Sequence, residues 1–582
     1  RTFGILVLLG LLASSAAPAA DKLLLAQGGR ARARIQIAPD ASVPLKSTAV
    51  ELADYLERIT GATFEVTAAR PAGARIVLGR LDQFPDLKLT GELKDMNDEA
   101  FLIRTDGNAL LLLGKSDVAA SHAVFAFLED LGCRWFFPTP EWEIVPRIAE
   151  LAVQADRRDA PQMIVRGMWY GTMNGYMVEN HLLRDWNRRN RVPRSQVVTS
   201  HSWIGLDPKK DFEEHPEYFA LVKGKRKASK PCYSHPDVVR RAIDYALKRA
   251  EEGAKSVTVS APDGLDFCEC EKCYAVYQGG LPFVDKLALF AKRPDGTLVC
   301  ATSETIFRMT NEVARAVRAR YPDVLIGVMA YSGYSHPPSF DFEPNVYVQI
   351  TTSYRRTPMT LEEQIETFGR KARQIGLYDY YHIAVWYGFR PDKGIKIARL
   401  KERMPYYLRN NVRGIWAEST NNWAAAGPDF YVAHKLMWNP DADADAIYRD
   451  FLAKCFGRAF EPMKRYYDRW EAATEMNEIS LKAALADLAE AWRLDDSPAV
   501  RARVGMLYLY MRAMRAGARY AAVKNDDTKS GPPGKEYADL VWRMQNGYLL
   551  HDLVSKSANR PMPPAFSRSE LEAMMAEDAA GR

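Results

Sequence analysis

The sequence predicts a mixed α/β protein: a (β/α)8 TIM-like barrel, preceded by an N-terminal α/β sandwich domain and followed by a helical C-terminal region. Three observations carry this expectation. From Ile164 to about Asn422, short apolar runs alternate with amphipathic helical segments, the order that builds a parallel sheet with covered faces. Between about Lys22 and Asp156, two amphipathic helices accompany four or five strands. Beyond Trp438 the strand pattern stops, and successive helices rich in Ala, Arg, Tyr and Leu follow. The expected boundaries are a signal peptide over residues 1–20, the accessory α/β domain over 21–160, the barrel over 161–438 and the helical region over 439–582.

The first segment runs from Arg1 through an apolar stretch, Ile5 to Leu12, to Ala17-Pro18-Ala19. A basic start, a short apolar core and an A-x-A-like site predict a secretory signal peptide, so a secreted or periplasmic protein is expected. The stretch is far shorter than the ~20 apolar residues of a bilayer span, and no later segment reaches that length. Stable membrane insertion is not expected. The formal net charge is only +6 over 582 residues, and the short basic runs Arg188-Arg189 and Lys223 to Lys227 make no polybasic arm. A solvated surface is expected, and no nucleic-acid partner.

In the accessory domain, Ala33 to Ile37 reads as a strand. Leu52, Tyr55, Leu56 and Ile59 then recur at the spacing of one helix face, with Gly61 placed to stop the helix. Strands are predicted over 64–67, 76–79, 100–105 and 109–114. A second helix carries Val124, Phe127, Leu128 and Leu131, ended by Gly132. No nucleophile, glycine-rich phosphate loop or carboxylate pair marks this domain, so it reads as a support.

Eight barrel strands are predicted: 164–169, 196–200, 230–234, 256–261, 324–331, 346–352, 376–381 and 414–418. Helices are expected over 237–252, 304–320, 361–374 and 395–410. Eight strands in this span suit a barrel, whose usual length is ~250 residues. An open doubly wound sheet is the alternative, but no G-x-G-x-x-G follows an early strand. Further helices are predicted over 441–457, 461–476, 480–491 and 500–523. Lys529 to Gly534 reads as a loop, and the tail past Ser557 as loosely ordered.

Catalytic groups of barrels project from the C-terminal ends of strands. Asp263 follows the strand ending at Ala261, Glu418 ends the last strand between two tryptophans, and Asp379 lies in Tyr378-Asp-Tyr-Tyr-His382. These three are the catalytic candidates. His201, Trp203, Tyr331, Tyr354, Tyr380, Trp386, Trp416, Asn421, Asn422 and Trp423 gather at the same strand ends and are the substrate-binding candidates. Aromatic faces stack on sugar rings while carboxylates and amides bind hydroxyls, so the combination predicts a carbohydrate ligand. Two carboxyls on one rim suit glycoside hydrolysis. Arg355 and Arg390 would serve if the sugar were a uronic acid.

Cys268, Cys270 and Cys273 follow Asp263 at C-x-C-x-x-C spacing, and Cys232 lies in the preceding strand. They suit either a structural zinc or a disulfide with a free thiol; in both readings they clamp the loop bearing Asp263. No H-E-x-x-H, facial-triad spacing, G-x-S-x-G elbow or Walker loop is present, so no catalytic cofactor is expected.

Pro262-Asp-Gly264 followed by Phe267-Cys-Glu-Cys-Glu-Lys-Cys273 resembles a widespread bacterial family of exported proteins catalogued as a domain of unknown function. Ser121 to Phe136 is similar to the helix closing the N-terminal domain found before hexosaminidase and α-glucuronidase barrels. Asn345 to Gln349 and Lys435 to Pro440 also resemble the family, and the likeness spans roughly Lys22 to Tyr467. Some members are classed as endo-acting β-N-acetylglucosaminidases. The resemblance implies substrate assistance: the substrate's acetamido oxygen attacks its own anomeric carbon, one carboxyl orients the acetamido group, and a second is the general acid. Asp263 matches the position of a catalytic acidic residue there. Related hexosaminidases carry an Asp-Glu pair where this chain has Asp263-Gly264, so Glu418 or Asp379 would supply the second carboxyl.

Overall fold

The computed structural model describes residues 22–580 apart from 90, 172–180, 193–196, 275–282, 286–289, 293–295, 297, 382–394, 421, 474–476, 526–530 and 545–565. The predicted signal peptide, Trp386, Arg390 and Asn421 lie outside the described residues. The chain divides into two units: one runs up to Cys133 and resumes over Val145–Ala160, and the other comprises Arg134–Ile144 and the chain from Pro161 onward.

The first unit contains β1 (Leu23–Gln27), β2 (Arg30–Ala31), β3 (Ala33–Ile37), α1 (Val43–Thr60), β4 (Val66–Thr67), β5 (Ala74–Arg80), β6 (Phe101–Asp106), β7 (Ala109–Gly114) and α2 (Asp117–Asp130). After β8 (Arg134–Trp135) and β9 (Glu143–Ile144), which belong to the second unit, β10 (Glu150–Val153) and β11 (Asp156–Asp159) complete it. One sheet has the order β11-β6-β7-β5-β3-β4 and a smaller one β10-β1-β2. Helix α1 starts where the Ser42 side chain accepts from Leu45 N, and stops where Gly61 takes φ 75 and returns its N–H to Glu57 O. Its buried face is the predicted one. Helix α2 differs, because Ala119 to Leu128 are buried all round. A Cβ on Gly114 would overlap the backbone of Ala120, so this glycine lets α2 lie close on β7.

The second unit is built on a parallel six-stranded sheet, in the order β12-β22-β21-β20-β19-β15. Its strands are β12 (Val165–Gly171), β15 (Ser256–Thr258), β19 (Leu325–Ser332), β20 (Val346–Arg355), β21 (Gln374–Tyr380) and β22 (Val412–Thr420). Among the helices between them are those over Pro236–Glu251, Ala301–Arg318, Leu361–Lys371 and Ile397–Arg409. The first strand pairs with the last, as in a barrel, but only six of the eight expected strands join this sheet, which forms a half-barrel.

The two exceptions have local causes. Val197 to Ser200 runs beside β15 without a ladder, touching it through one bridge, His201 to Ser260. Hydroxyls take over its backbone groups: Thr258 Oγ1 donates to Ser200 O (2.6 Å), Ser260 Oγ donates to Thr199 O (2.7 Å), and Ser256 Oγ accepts from Val198 N (2.9 Å). The expected strand at 230–234 is the end of a hairpin instead, with β13 (Phe219–Val222) antiparallel to β14 (Lys225–Pro231). Its turn, Lys223-Gly224, has positive φ at both residues (51 and 74), which matches the twist of a tight hairpin. The remaining strands, β16 (Phe283–Asp285), β17 (Phe290–Lys292) and β18 (Leu298–Cys300), form a small antiparallel sheet.

Glycines shape the interior of the half-barrel. A Cβ on Gly376 or Gly414 would overlap the Tyr347 hydroxyl, and one on Gly167 would overlap the Trp416 ring. Tyr347 and Trp416 thereby fill the space below the upper strand ends.

The C-terminal helices span Ala444–Phe456, Phe460–Ala472, Glu478–Leu494 and Pro498–Val523, near the expected positions. Two expectations fail. The Gly531 to Gly534 part of the expected loop opens a helix, Gly531–Arg543, because prolines in a first turn lack only N–H groups that have no helical partner. The tail forms a helix over Arg568–Ala579, capped by Ser567 with Glu570 and held by Arg515 to Asp578 (2.8 Å) and Arg512 to Glu577 (2.9 Å). Another helix, Trp423–Trp438, is buried along nearly its whole surface, so no single apolar stripe announces it. Among the described residues, no helix is long and apolar enough to cross a membrane.

Candidate active site

Side chains alternate across a strand, so register decides which of them meet. Glu418 on β22 lies opposite Tyr380 on β21 and Trp169 on β12, at the C-terminal ends of all three strands. Tyr378 and Tyr380 share a face of β21, and Tyr378 Oη donates to Glu418 Oε1 (2.6 Å). That face therefore presents Trp169, Glu418, Tyr378 and Tyr380. Tyr354 stacks edge-on to Tyr380 with centroids 5.6 Å apart. Trp169 and Tyr354 are 38% and 50% exposed, which leaves aromatic surface open at this rim.

Asp263 lies just beyond β15 at the same end. Its Oδ1 accepts from Gly264 N (2.7 Å) and from Tyr331 Oη (3.0 Å). Gly264 has φ 96, in the left-handed region, so glycine permits the turn that aims its N–H at the carboxylate. Oδ2 takes no bond from a described residue. His201 stands beside Tyr331, ring centroids 5.7 Å apart, with Nδ1 bonded to Ala261 O (2.6 Å). A carbonyl only accepts, so Nδ1 carries a hydrogen.

The two carboxyls are tuned in opposite directions. Burial pushes the Glu418 carboxyl up, with the Tyr378 hydroxyl working against it. For Asp263, partial burial is outweighed by the Gly264 N–H, the Tyr331 hydroxyl and the charges of His201 and Lys230, which hold it below the usual range. Tyr331 connects them: burial, its bond to Asp263 and the charges of Asp263 and Glu418 push its hydroxyl up to about 12.

Lys230, at the end of β14, was not among the residues singled out from the sequence. It is 1% exposed, and its Nζ donates to the carbonyls of Pro262 and Asp263, the latter at 2.8 Å. It also lies over the Phe267 ring at 4.8 Å, so a buried cation holds the backbone that presents Asp263. Tyr378 was missed too, although its place two residues before Tyr380 marks the shared face.

Several expected site residues lie elsewhere. Asp379 pairs in register with Ala417, on the face opposite Glu418, and its Oδ1 accepts from Thr352 Oγ1 (2.6 Å) and Tyr380 N (2.9 Å). It lies with Tyr381, Arg399 and Tyr407, beside the helix over Ile397–Arg409. Trp423 is fully buried among Phe137, Tyr170, Trp186 and Phe430, so it is core. Asn422 caps the helix it precedes and donates to Tyr510 Oη (2.8 Å), both structural tasks. Trp416 fills the half-barrel below the site, and Trp203 turns toward Phe219 (6.4 Å). Arg355 Nη1 is engaged by Met359 O (3.1 Å) and Gln364 Oε1 (2.6 Å).

A family model described as "Domain of unknown function (DUF4838)" matches residues 137–468. The chain belongs to this family. The DUF4838 match takes in Asp263, Glu418 and the four clustered cysteines. A second model, "Glycosyl hydrolase family 67 N-terminus", matches residues 24–127. No curated protein matches the chain. Among solved structures it is similar to a family GH115 4-O-methyl-α-glucuronidase, BtGH115A, with specificity for decorated arabinogalactans. That likeness has 12% identity and a TM-score of 0.53, over 94% of this chain and 82% of that one. It is also similar to CpGH84D (11% identity, TM-score 0.45, 96% of each chain) and CpGH84B (12% identity, TM-score 0.40, 94% of this chain and 96% of that one). At these identities the GH115 likeness is one of fold.

Proposed function

We propose that this DUF4838 protein is an exported glycoside hydrolase acting on a β-linked N-acetylhexosamine glycan, with Glu418 as general acid and Asp263 as the carboxylate that orients the acetamido group. The observation that carries this reading is the opposite tuning of two carboxyls at one strand-end rim. Of the two, the carboxyl raised by burial is the one suited to hold a proton for the leaving group, and the one held low is suited to act ionised. With Oδ1 already accepting two hydrogen bonds, Asp263 offers Oδ2 to an acetamido N–H. Glu418 gives its proton to the glycosidic oxygen as that C–O bond breaks, while the acetamido oxygen bonds to the anomeric carbon. Water then attacks that carbon, giving a proton back to Glu418 and reopening the acetamido ring. No metal or cofactor enters these steps. Tyr354, Tyr380 and Trp169 are assigned to the sugar faces, with Tyr331 and His201 near Asp263. In this reading Val197–His201 and the β13–β14 region complete the barrel wall.

A uronic-acid substrate is the second reading: of its two candidate cations, Arg355 is engaged by Met359 and Gln364, and Arg390 lies outside the described residues. The test uses aryl N-acetyl-β-hexosaminides of graded leaving-group acidity. Glu418→Gln should lose about 10²–10⁴-fold in turnover on a poor leaving group and far less on a dinitrophenyl one, which needs no proton. Asp263→Asn should be slow on both. Equal losses of Glu418→Gln on both substrates would remove the acid assignment. Sugar binding without hydrolysis of any glycan would make the protein a non-catalytic glycan binder.

A further inference from the structure

A second concentration of reactive side chains lies on the far part of the Asp263 loop. Cys232 follows β14, Cys268 and Cys270 lie on the loop, and Cys273 lies in the short helix Glu271–Tyr274. Cys232 Sγ is 3.6 Å from Cys268 Sγ, 3.7 Å from Cys270 Sγ and 3.8 Å from Cys273 Sγ, and all four sulfurs lie within 4.8 Å of one another. A disulfide holds its sulfurs ~2.05 Å apart. Four thiolates around Zn²⁺ at ~2.3 Å stand about 3.8 Å apart along each tetrahedral edge. The three separations match the length of such edges, and the remaining pairs lie within 4.8 Å. Cys232, Cys268 and Cys273 are buried and Cys270 is half-buried, so the cluster faces inward.

Its surroundings suit thiolates. Leu221 N donates to Cys268 Sγ (3.3 Å), Arg226 Nη1 approaches the same sulfur (3.9 Å), and Ser234 Oγ lies 3.0 Å from Cys273 Sγ. Donors of this kind offset the charge that ligating sulfurs carry. We propose that Cys232, Cys268, Cys270 and Cys273 form a tetrathiolate zinc site. Four protein ligands leave no open position, so the ion is structural. Its binding displaces the thiol protons to solvent, and binding weakens as pH falls.

The site joins the β13–β14 hairpin to the Asp263 loop. The same two segments are tied by Glu269 N to Leu221 O (2.7 Å), Lys223 N to Glu269 Oε2 (2.7 Å), and Lys227 to Asp266 (3.4 Å). Zinc would fix the loop at its far end while Lys230 fixes it next to Asp263.

The experiment is metal analysis of the purified full chain, followed by titration with a mercurial thiol reagent and replacement by Co²⁺. The expected result is one zinc per chain, released as the clustered thiols are blocked, and a cobalt form with the visible absorption of a tetrahedral tetrathiolate. Cys273→Ser should lose the zinc, whereas Cys455→Ser, at a buried cysteine outside the cluster, should keep it. Because the cobalt spectrum is read on the unmutated chain, the test stands even if Cys273→Ser fails to fold. A metal-free chain with all these thiols reactive, or a mass-spectrometric disulfide between any two of the four, would overturn the proposal. None of these readouts depends on glycosidase activity.

Discussion

Replacing Lys230 by Met tests the link between a buried cation and the placement of Asp263. Burial pushes the Lys230 ammonium down from 10.5 to about 8, against the weaker pull of Asp263 and Asp266. A fall of that size corresponds to about 3 kcal/mol between the charged and neutral forms. The folded state therefore binds fewer protons than the unfolded state between pH 8 and 10.5, so the native state gains stability as pH rises through that window. Below pH 8 the cost of burying the charge is fully present. In Lys230→Met this pH dependence disappears, although the variant also strands the carbonyls of Pro262 and Asp263, at about 1–3 kcal/mol. Every described tryptophan lies in the second unit, so tryptophan fluorescence during urea unfolding reports the unit that contains Lys230. The wild type should gain about 2–3 kcal/mol relative to the variant between pH 7.5 and 10.5. Parallel profiles for the two proteins would refute the argument. The variant should also lower kcat, because the loop then holds Asp263 less firmly.

Tyr378→Phe removes a donor that favours the ionised form of Glu418, so the alkaline limb of the pH–rate profile should move to higher pH; a limb moving down would contradict the acid role. Tyr331→Phe should raise the Asp263 carboxyl in the same way and move the acid limb up, read on the same profile. Asp379→Asn should leave kcat within several-fold of wild type, since that side chain faces the helices; a loss comparable to Glu418→Gln would return it to the site. Gly376→Ala should destabilise the second unit by about 1–3 kcal/mol in the fluorescence assay, because its methyl overlaps the Tyr347 hydroxyl; an unchanged midpoint would show that Tyr347 can move aside.

Much of this architecture was legible in short stretches of sequence. Ser42 and Gly61 bracket α1, and six apolar runs become the parallel sheet. These features arise from neighbours a few residues apart, whose caps, turns and periodic faces are encoded locally. The C-x-C-x-x-C run likewise announces a cluster before any fold is known. Absolute facing is different. Alternation says that Asp379 opposes Tyr378 and Tyr380, but only pairing with β22 decides which side meets Glu418. Trp423 and Asn422 look like ligand residues next to Glu418, yet Phe137, Trp186 and Tyr510, contributed by distant segments, claim them for the core. The same holds for Lys230, an ordinary lysine in sequence, made exceptional by two carbonyls more than 30 positions away. The chain by itself determined its periodic elements and its reactive clusters, because these depend on local geometry. Which side chains share the rim was decided by strand pairing and burial, which exist only once distant segments have met.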